Sequence, residues 1–304
     1  MNETITTENY DEINLLDFFY ILWSKKKLIF LITLFFAISS VFFSLSVPNV
    51  YQSKAVLSAV NDTKGNSLGA FSGVAAVAGI NLPGESSSKS SEAIARIKSF
   101  DFFSQYFLTN INLEDLVAVK KWDINSNELI YNKRLFDIDS KKWKLKKDSN
   151  SRKPSEQDAY EIYRKRLSIV QDTETAFITI SYEHHSPTIA QDWLNHIIKS
   201  IDKNMRAADK VDASNSINFL IQRLNDTKNL AVKEAISMLI KDQMQKLMMV
   251  EGTQNFVFKE IDSPRSPEKK SGPNRALICI IGTIMGAMLS ILLSLYIHYF
   301  RKTD

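Results

Sequence analysis

Cysteine is nearly absent: the chain of 304 residues has one, Cys279, so no internal disulfide can form and stability must come from core packing and neighbours. A phosphate cradle of the form G-x-x-x-x-G-K-[ST] does not occur, which excludes nucleotide chemistry of the P-loop kind. Histidine is scarce as well. His184, His185, His196 and His298 offer no HExxH and no metal-ligand spacing, and the His184-His185 pair, at a predicted strand-to-helix turn, reads as a surface feature. Carboxylates are scattered without a motif that would pair an acid with a base. The chain therefore reads as non-enzymatic, with no cofactor and no metal.

What is present is a pair of uncharged apolar runs, Leu28 to Val47 and Ala276 to Ile297. At ~1.5 Å per helical residue each spans the ~30 Å hydrocarbon core of a bilayer. The first is too long and too far from the N-terminus for a cleaved leader, and no small-x-small cleavage site follows it. Trp23 with Lys25, Lys26 and Lys27 precedes the first run, and Arg301 and Lys302 follow the second; these are the expected membrane-interface anchors. The positive-inside rule puts both ends in the cytoplasm, because Lys269, Lys270 and Arg275 close a long loop whose charges the rule largely ignores.

The resulting division is a cytoplasmic lead-in with an interfacial helix (1–27), a first span (28–47), one domain outside the cytoplasm (48–275), a second span (276–297) and a short cytoplasmic tail (298–304). This leaves no cytoplasmic catalytic or signalling domain.

Within the middle domain, Tyr51 to Val60 reads as a strand and the glycine- and serine-rich stretch 61–91 as loop. Leu68 to Leu82, inside that loop, is apolar enough to dock on a partner, with loop collapse the blander reading. Ser91 to Thr109 and Asn112 to Lys121 read as helices. Residues 120–153 carry 11 Lys/Arg against 5 Asp/Glu, with Trp122, Tyr131, Phe136 and Trp143 interleaved. Placed outside the cytoplasm, this segment cannot meet nucleic acid; Trp122 to Pro154 reads as irregular and solvated, with anionic glycan or headgroups as the sharper alternative.

Leu167 to Gln171 and Ala176 to Tyr182 flank Asp172-Thr-Glu-Thr175 as a hairpin. Ser186-Pro187 then opens a helix with Ala190, Trp193, Ile197, Ile201 and Met205 on one face. A long helix is expected at about 214–250, with Asn225 to Asn229 able to bend or cut it. Phe256 to Ile261 reads as a return strand.

Two further features concern the second span. Gly282 and Gly286, continued by Ser290, form a small-residue face suited to close helix packing. Pro264, Pro267 and Pro273 favour extended backbone and read as a semi-rigid strut, 262–273, leading into the span.

Five features in order resemble the Wzz-type polysaccharide chain-length determinants. They are the lead-in ending Leu22-Trp23 with Lys25-Lys26-Lys27, the first span, Tyr51-Gln-Ser-Lys-Ala55, the Phe256-Val-Phe-Lys-Glu-Ile-Asp262 strand, and Ser263-Pro-Arg-Ser-Pro-Glu-Lys-Lys-Ser-Gly-Pro273 entering the second span. Only Asp115 to Pro154 carries no likeness. The resemblance implies an α+β periplasmic domain with a long projecting helix flanked by two transmembrane helices, in the inner membrane of a bacterium. It also implies a ring-like homo-oligomer that controls the length of an O-antigen-like lipopolysaccharide through a glycan polymerase or its lipid-linked product. The absent phosphate loop points to the branch without a kinase. The alternative is an inner-membrane adaptor of a polysaccharide export system.

Overall fold

The computed structural model describes residues 23–60, 89–144 and 153–300, the side chains of 298–300 excepted. Two compact units emerge: residues 1–49 with 271–304, and residues 50–270.

The first unit holds two helices, α1 (Lys26–Ser46) and, at the far end of the chain, a helix spanning Arg275–Phe300. Both are long and apolar enough to cross a membrane. They pack against each other. α1 starts before the expected Leu28, so that Lys26 and Lys27 lie in its first turn, and ends at Ser46, just short of Val47, while the second helix extends past its expected span at both ends.

The second unit is built on a four-stranded antiparallel sheet. Its strands are β1 (Tyr51–Ala59), then β6 (Leu167–Gln171), β7 (Ile178–His184) and β8 (Phe258–Asp262), in the order β6-β7-β1-β8. The expected hairpin is present, with Leu167 opposite Tyr182 and Gln171 opposite Ile178. Its turn is closed by the Asp172 carboxylate, which accepts from the backbone N–H groups of Glu174 (2.8 Å) and Thr175 (3.0 Å). Those bonds hold the Asp172 carboxyl below its usual range.

Alternation sets the buried face. Ser53, Ala55 and Leu57 of β1 lie opposite Tyr182, Ile180 and Ile178 of β7, and all are buried.

That face is covered by helices. After β1 come α2 (Lys89–Ile97) and a tight run of short turns from Phe100 to Asn110 that buries Phe102, Phe103 and Phe107. The short helix α3 (Leu113–Val117) follows, and then two small hairpins, β2–β3 (Val119–Asp123, Glu128–Tyr131) and β4–β5 (Phe136–Asp137, Lys142–Trp143).

These hairpins correct two expectations, because the helix foreseen to Lys121 stops at Val117 and the segment read as irregular forms strands between 119 and 143; its residues 145–152 lie outside the described residues. Helix α4 (Glu156–Arg166) was not foreseen; a capping box between Ser155 and Asp158 starts it. The largest cover is α5 (Pro187–Asp226), which opens at Ser186-Pro187 as expected and packs on β1 and β7.

The long helix differs from its expected bounds. No boundary exists near 214: α5 runs unbroken for 40 residues, about 60 Å, and the chain then breaks at Thr227-Lys228-Asn229 before α6 (Leu230–Gly252). Thr227 and Asn229 have extended backbones, and the Asn229 side chain caps α6 by accepting from the Ala231 N–H (3.0 Å). α6 returns along α5, so the projecting element is a helical hairpin. The helix from Arg275, α7, closes the chain.

Candidate functional site

Three places in the described residues combine expected motif residues with defined geometry: the paired spans, the helical hairpin, and the proline segment.

In the membrane unit α1 and α7 are antiparallel, since Gly282 faces Ser40 and Gly286 faces Phe36. The approach is close enough that a Cβ at Gly282 would stand 2.5 Å from the Ser40 Cβ, and one at Gly286 would stand 2.4 Å from the Phe36 Cβ. Hydrogen is the only substituent that fits. Ser290, one turn on, is fully buried, with its hydroxyl 3.4 Å from Thr33 Oγ1 and 2.7 Å from the Ala287 carbonyl it donates to.

Thr33, Phe36 and Ser40 are thus the partners of the glycine face, and no motif marked them. Near one end of the pair the Arg275 guanidinium donates to Asn49 Oδ1 (3.1 Å). Of the interface anchors, Trp23 is exposed under the Lys26 ammonium (4.8 Å to the ring), Lys25 precedes α1 and Lys27 lies in its first turn. Arg301, Lys302 and most of the lead-in lie outside the described residues, as does the docking stretch Leu68 to Leu82.

The proline segment is docked in its first half rather than free along its length. Pro264 is buried, and its carbonyl accepts from Gln191 Nε2 of α5 (3.0 Å); the next carbonyl, of Arg265, accepts from Ser53 Oγ of β1 (2.8 Å). Pro267 is half-buried, and Pro273 follows Gly272 across a cis peptide bond.

The hairpin has two parts. Its base is clasped by Arg206, which donates to the carbonyls of Val250, Thr253 (2.9 Å) and Gln254 (3.4 Å) and pairs with Asp202 (2.9 Å). The Asp202 carboxylate in turn accepts from the backbone N–H groups of Phe256 (2.9 Å) and Val257 (3.1 Å). Lys210 and Glu251 add an ion pair at 2.6 Å. The only sequence signal for this clasp is the i, i+4 spacing of Asp202 and Arg206.

Beyond the base two helices cannot bury all their apolar side chains against each other. Phe219, Ile221, Leu230, Met238, Leu239 and Met248 stay exposed.

His184 corrects the surface reading. It is 1% exposed and packs against the Trp193 ring, with centroids 4.9 Å apart and the planes tilted by 55°. Its Nδ1 accepts from the Ser186 N–H (3.0 Å), so Nε2 carries the proton that is donated to the Asp115 carbonyl (3.0 Å). Burial drives its pKa down to about 3. The ring is a neutral strut between β7 and α3, with no coordinating role. Among the described residues no cluster of three metal-ligating side chains occurs.

Residues 11–113 match the family model of the chain length determinant protein, Wzz. No curated protein sequence matches the chain. Among solved structures, a full-length bacterial polysaccharide co-polymerase aligns over 96% of this chain and 99% of its own at 14% identity, with a TM-score of 0.41. A fragment of WzzB, a polysaccharide co-polymerase from Salmonella Typhimurium, aligns over 74% and 100% at 15% identity, with a TM-score of 0.30. The family match covers about a third of the chain and contains the first span, β1 and the aromatic turns. It is the finding that bears on function, and it agrees with the likeness to Wzz-type proteins read from the residues.

Proposed function

We propose that this protein is a Wzz-type regulator of surface polysaccharide chain length in a bacterial inner membrane. The observation that carries the reading is the family match over 11–113. In this reading both termini are cytoplasmic and the 50–270 unit is periplasmic. The glycine face of α7 holds the two spans as a fixed pair. Several copies assemble along the exposed apolar side of the α5–α6 hairpin, because that surface is larger than one copy covers. The assembly acts without chemistry of its own on a membrane glycan polymerase or its lipid-linked, O-antigen-like product.

Deletion of the gene, followed by gel analysis of the lipopolysaccharide ladder, tests this. The modal cluster of chain lengths should be replaced by a distribution that decays from short chains, and a plasmid copy should restore it. An unchanged ladder would overturn the O-antigen reading.

A further inference from the structure

Helix α3, the β5 strand and the start of α4 enclose a cleft of about 420 Å³, within the ~300–1,000 Å³ typical of small-molecule sites. Its walls are of two kinds. Leu108, Ile111 and the Trp143 ring are apolar, while Asn112, Glu114 and Glu156 bring an amide and two carboxylates; Lys153 adds one ammonium.

The groups are held in place. Trp143 packs edge-on against Phe136, with ring centroids 5.1 Å apart, so the β4–β5 hairpin fixes its orientation. Glu156 opens α4 and accepts from Ser104 through one carboxylate oxygen (2.9 Å), leaving the other. Asn112 donates to Asp115 through its amide (3.0 Å), leaving its carbonyl oxygen. The Glu114 carbonyl accepts from the Ala118 N–H (2.9 Å), but among the described residues its carboxylate has no hydrogen-bond or ion-pair partner, and the Trp143 indole N–H has no acceptor.

We infer that this cleft binds a neutral saccharide unit. A pyranose has a flat face of C–H groups and a rim of hydroxyls that both donate and accept. The face suits an aromatic ring, and carboxylates accept hydroxyl protons in charge-assisted bonds stronger than neutral ones. A purely apolar ligand would strip water from two carboxylates and return nothing to them. An anionic ligand would meet two negative groups and one positive. The cleft thus differs from the basic segment 120–153 that supplies part of its wall, whose net charge alone would favour anions.

The cleft straddles the end of the family match: Leu108, Ile111 and Asn112 lie inside 11–113, while Glu114, Trp143, Lys153 and Glu156 come from the part of the chain beyond it. The inference rests on the proposed function, in which a glycan is the material being handled.

Its test uses the full chain in lipid nanodiscs and, as probe, short oligosaccharides cut from the delipidated surface polysaccharide of the producing bacterium, followed by saturation-transfer NMR and tryptophan fluorescence. The wild type should bind. Trp143→Ala and Glu114→Ala should each weaken binding about tenfold or more, the scale of one lost charge-assisted bond or ring contact. Ile124→Ala, at an exposed site outside the cleft lining, should leave binding unchanged.

Glu114→Ala carries the test if Trp143→Ala does not fold. No binding by the wild type, equal binding by all variants, or preference for an acidic polygalacturonate oligomer would overturn the inference. Each of those results leaves the deletion ladder, and with it the proposed function, standing on its own.

Discussion

One helix passes through two environments. From Ala190 to Met205, α5 lies on the sheet, and Leu194, Ile197 and Ile201 are fully buried with the aromatic cluster of Phe103, Phe107, Tyr163 and Tyr182. From Val211 onward the same helix, with α6 beside it, buries only Ala213 and Ile217 of its own residues. Apolar side chains recur through both halves. The repeat marks a face in each, but in one half the protein supplies the cover and in the other it does not. Apolar periodicity therefore reports that a helix has a partner face without saying whether the partner belongs to the same chain.

That contrast can be broken most directly by truncating one aromatic or thioether side chain in each part. Phe107 touches Tyr163, Tyr182 and Trp193 at centroid distances of 4.7, 5.9 and 5.4 Å, so Phe107→Ala should lower stability by about 3–5 kcal/mol. Met238, 68% exposed, should tolerate Met238→Ala within about 0.5 kcal/mol. Urea unfolding of the detergent-solubilised protein, followed by near-ultraviolet circular dichroism, measures both. Equal losses would mean the hairpin is as tightly packed as the base.

The boundary between the halves is the Arg206 clasp. Arg206→Ala leaves the Val250 and Thr253 carbonyls without their charged donor, at a cost of about 1.5–3 kcal/mol. The loss should be confined to the hairpin. Hydrogen exchange should accelerate across 246–257 and stay slow in β1 and β7. Uniform acceleration would show that hairpin and base open as one.

A further comparison distinguishes the parts by pH. His184 belongs to the base, and its folded pKa of about 3 lies below the ordinary value of 6.5. Its neutral burial stabilises the fold above about pH 6.5, and the contribution falls as acid approaches pH 3, because the unfolded state takes up the proton first. The slope is at most about 1.4 kcal/mol per pH unit. Thermal unfolding between pH 7 and 4 should show a shallower decline for His184→Gln than for the wild type. Parallel lines would exclude His184 as the source.

The strand pair from Leu167 to His184 was legible because alternation over that length has only one periodicity to match. The same logic failed over 113–144. Strands of two to five residues are too short to show a period, and they form because the β2–β3 and β4–β5 turns place Asn127 and Lys141 at positive φ. Helix α4 hid behind its polarity, with only Ala159 and Tyr163 fully buried, although Ser155-x-x-Asp158 was a readable start signal. His184 was misread because its neighbours in sequence are polar, whereas its cover, Trp193 and the Asp115 carbonyl, comes from elsewhere.

Sequence alone determined the two membrane helices, the strand leaving the first, the 167–182 hairpin and the helix opening at Pro187. Each depends on local properties: apolar length, period, a proline at a helix start. Tertiary structure decided that Gly282 and Gly286 face Ser40 and Phe36, that α6 folds back on α5, that Pro264 is pinned to the sheet side, and that His184 is buried. Those outcomes depend on which distant residue arrives at each face. A one-dimensional pattern can show that a face needs covering, but the cover is chosen by packing in three dimensions.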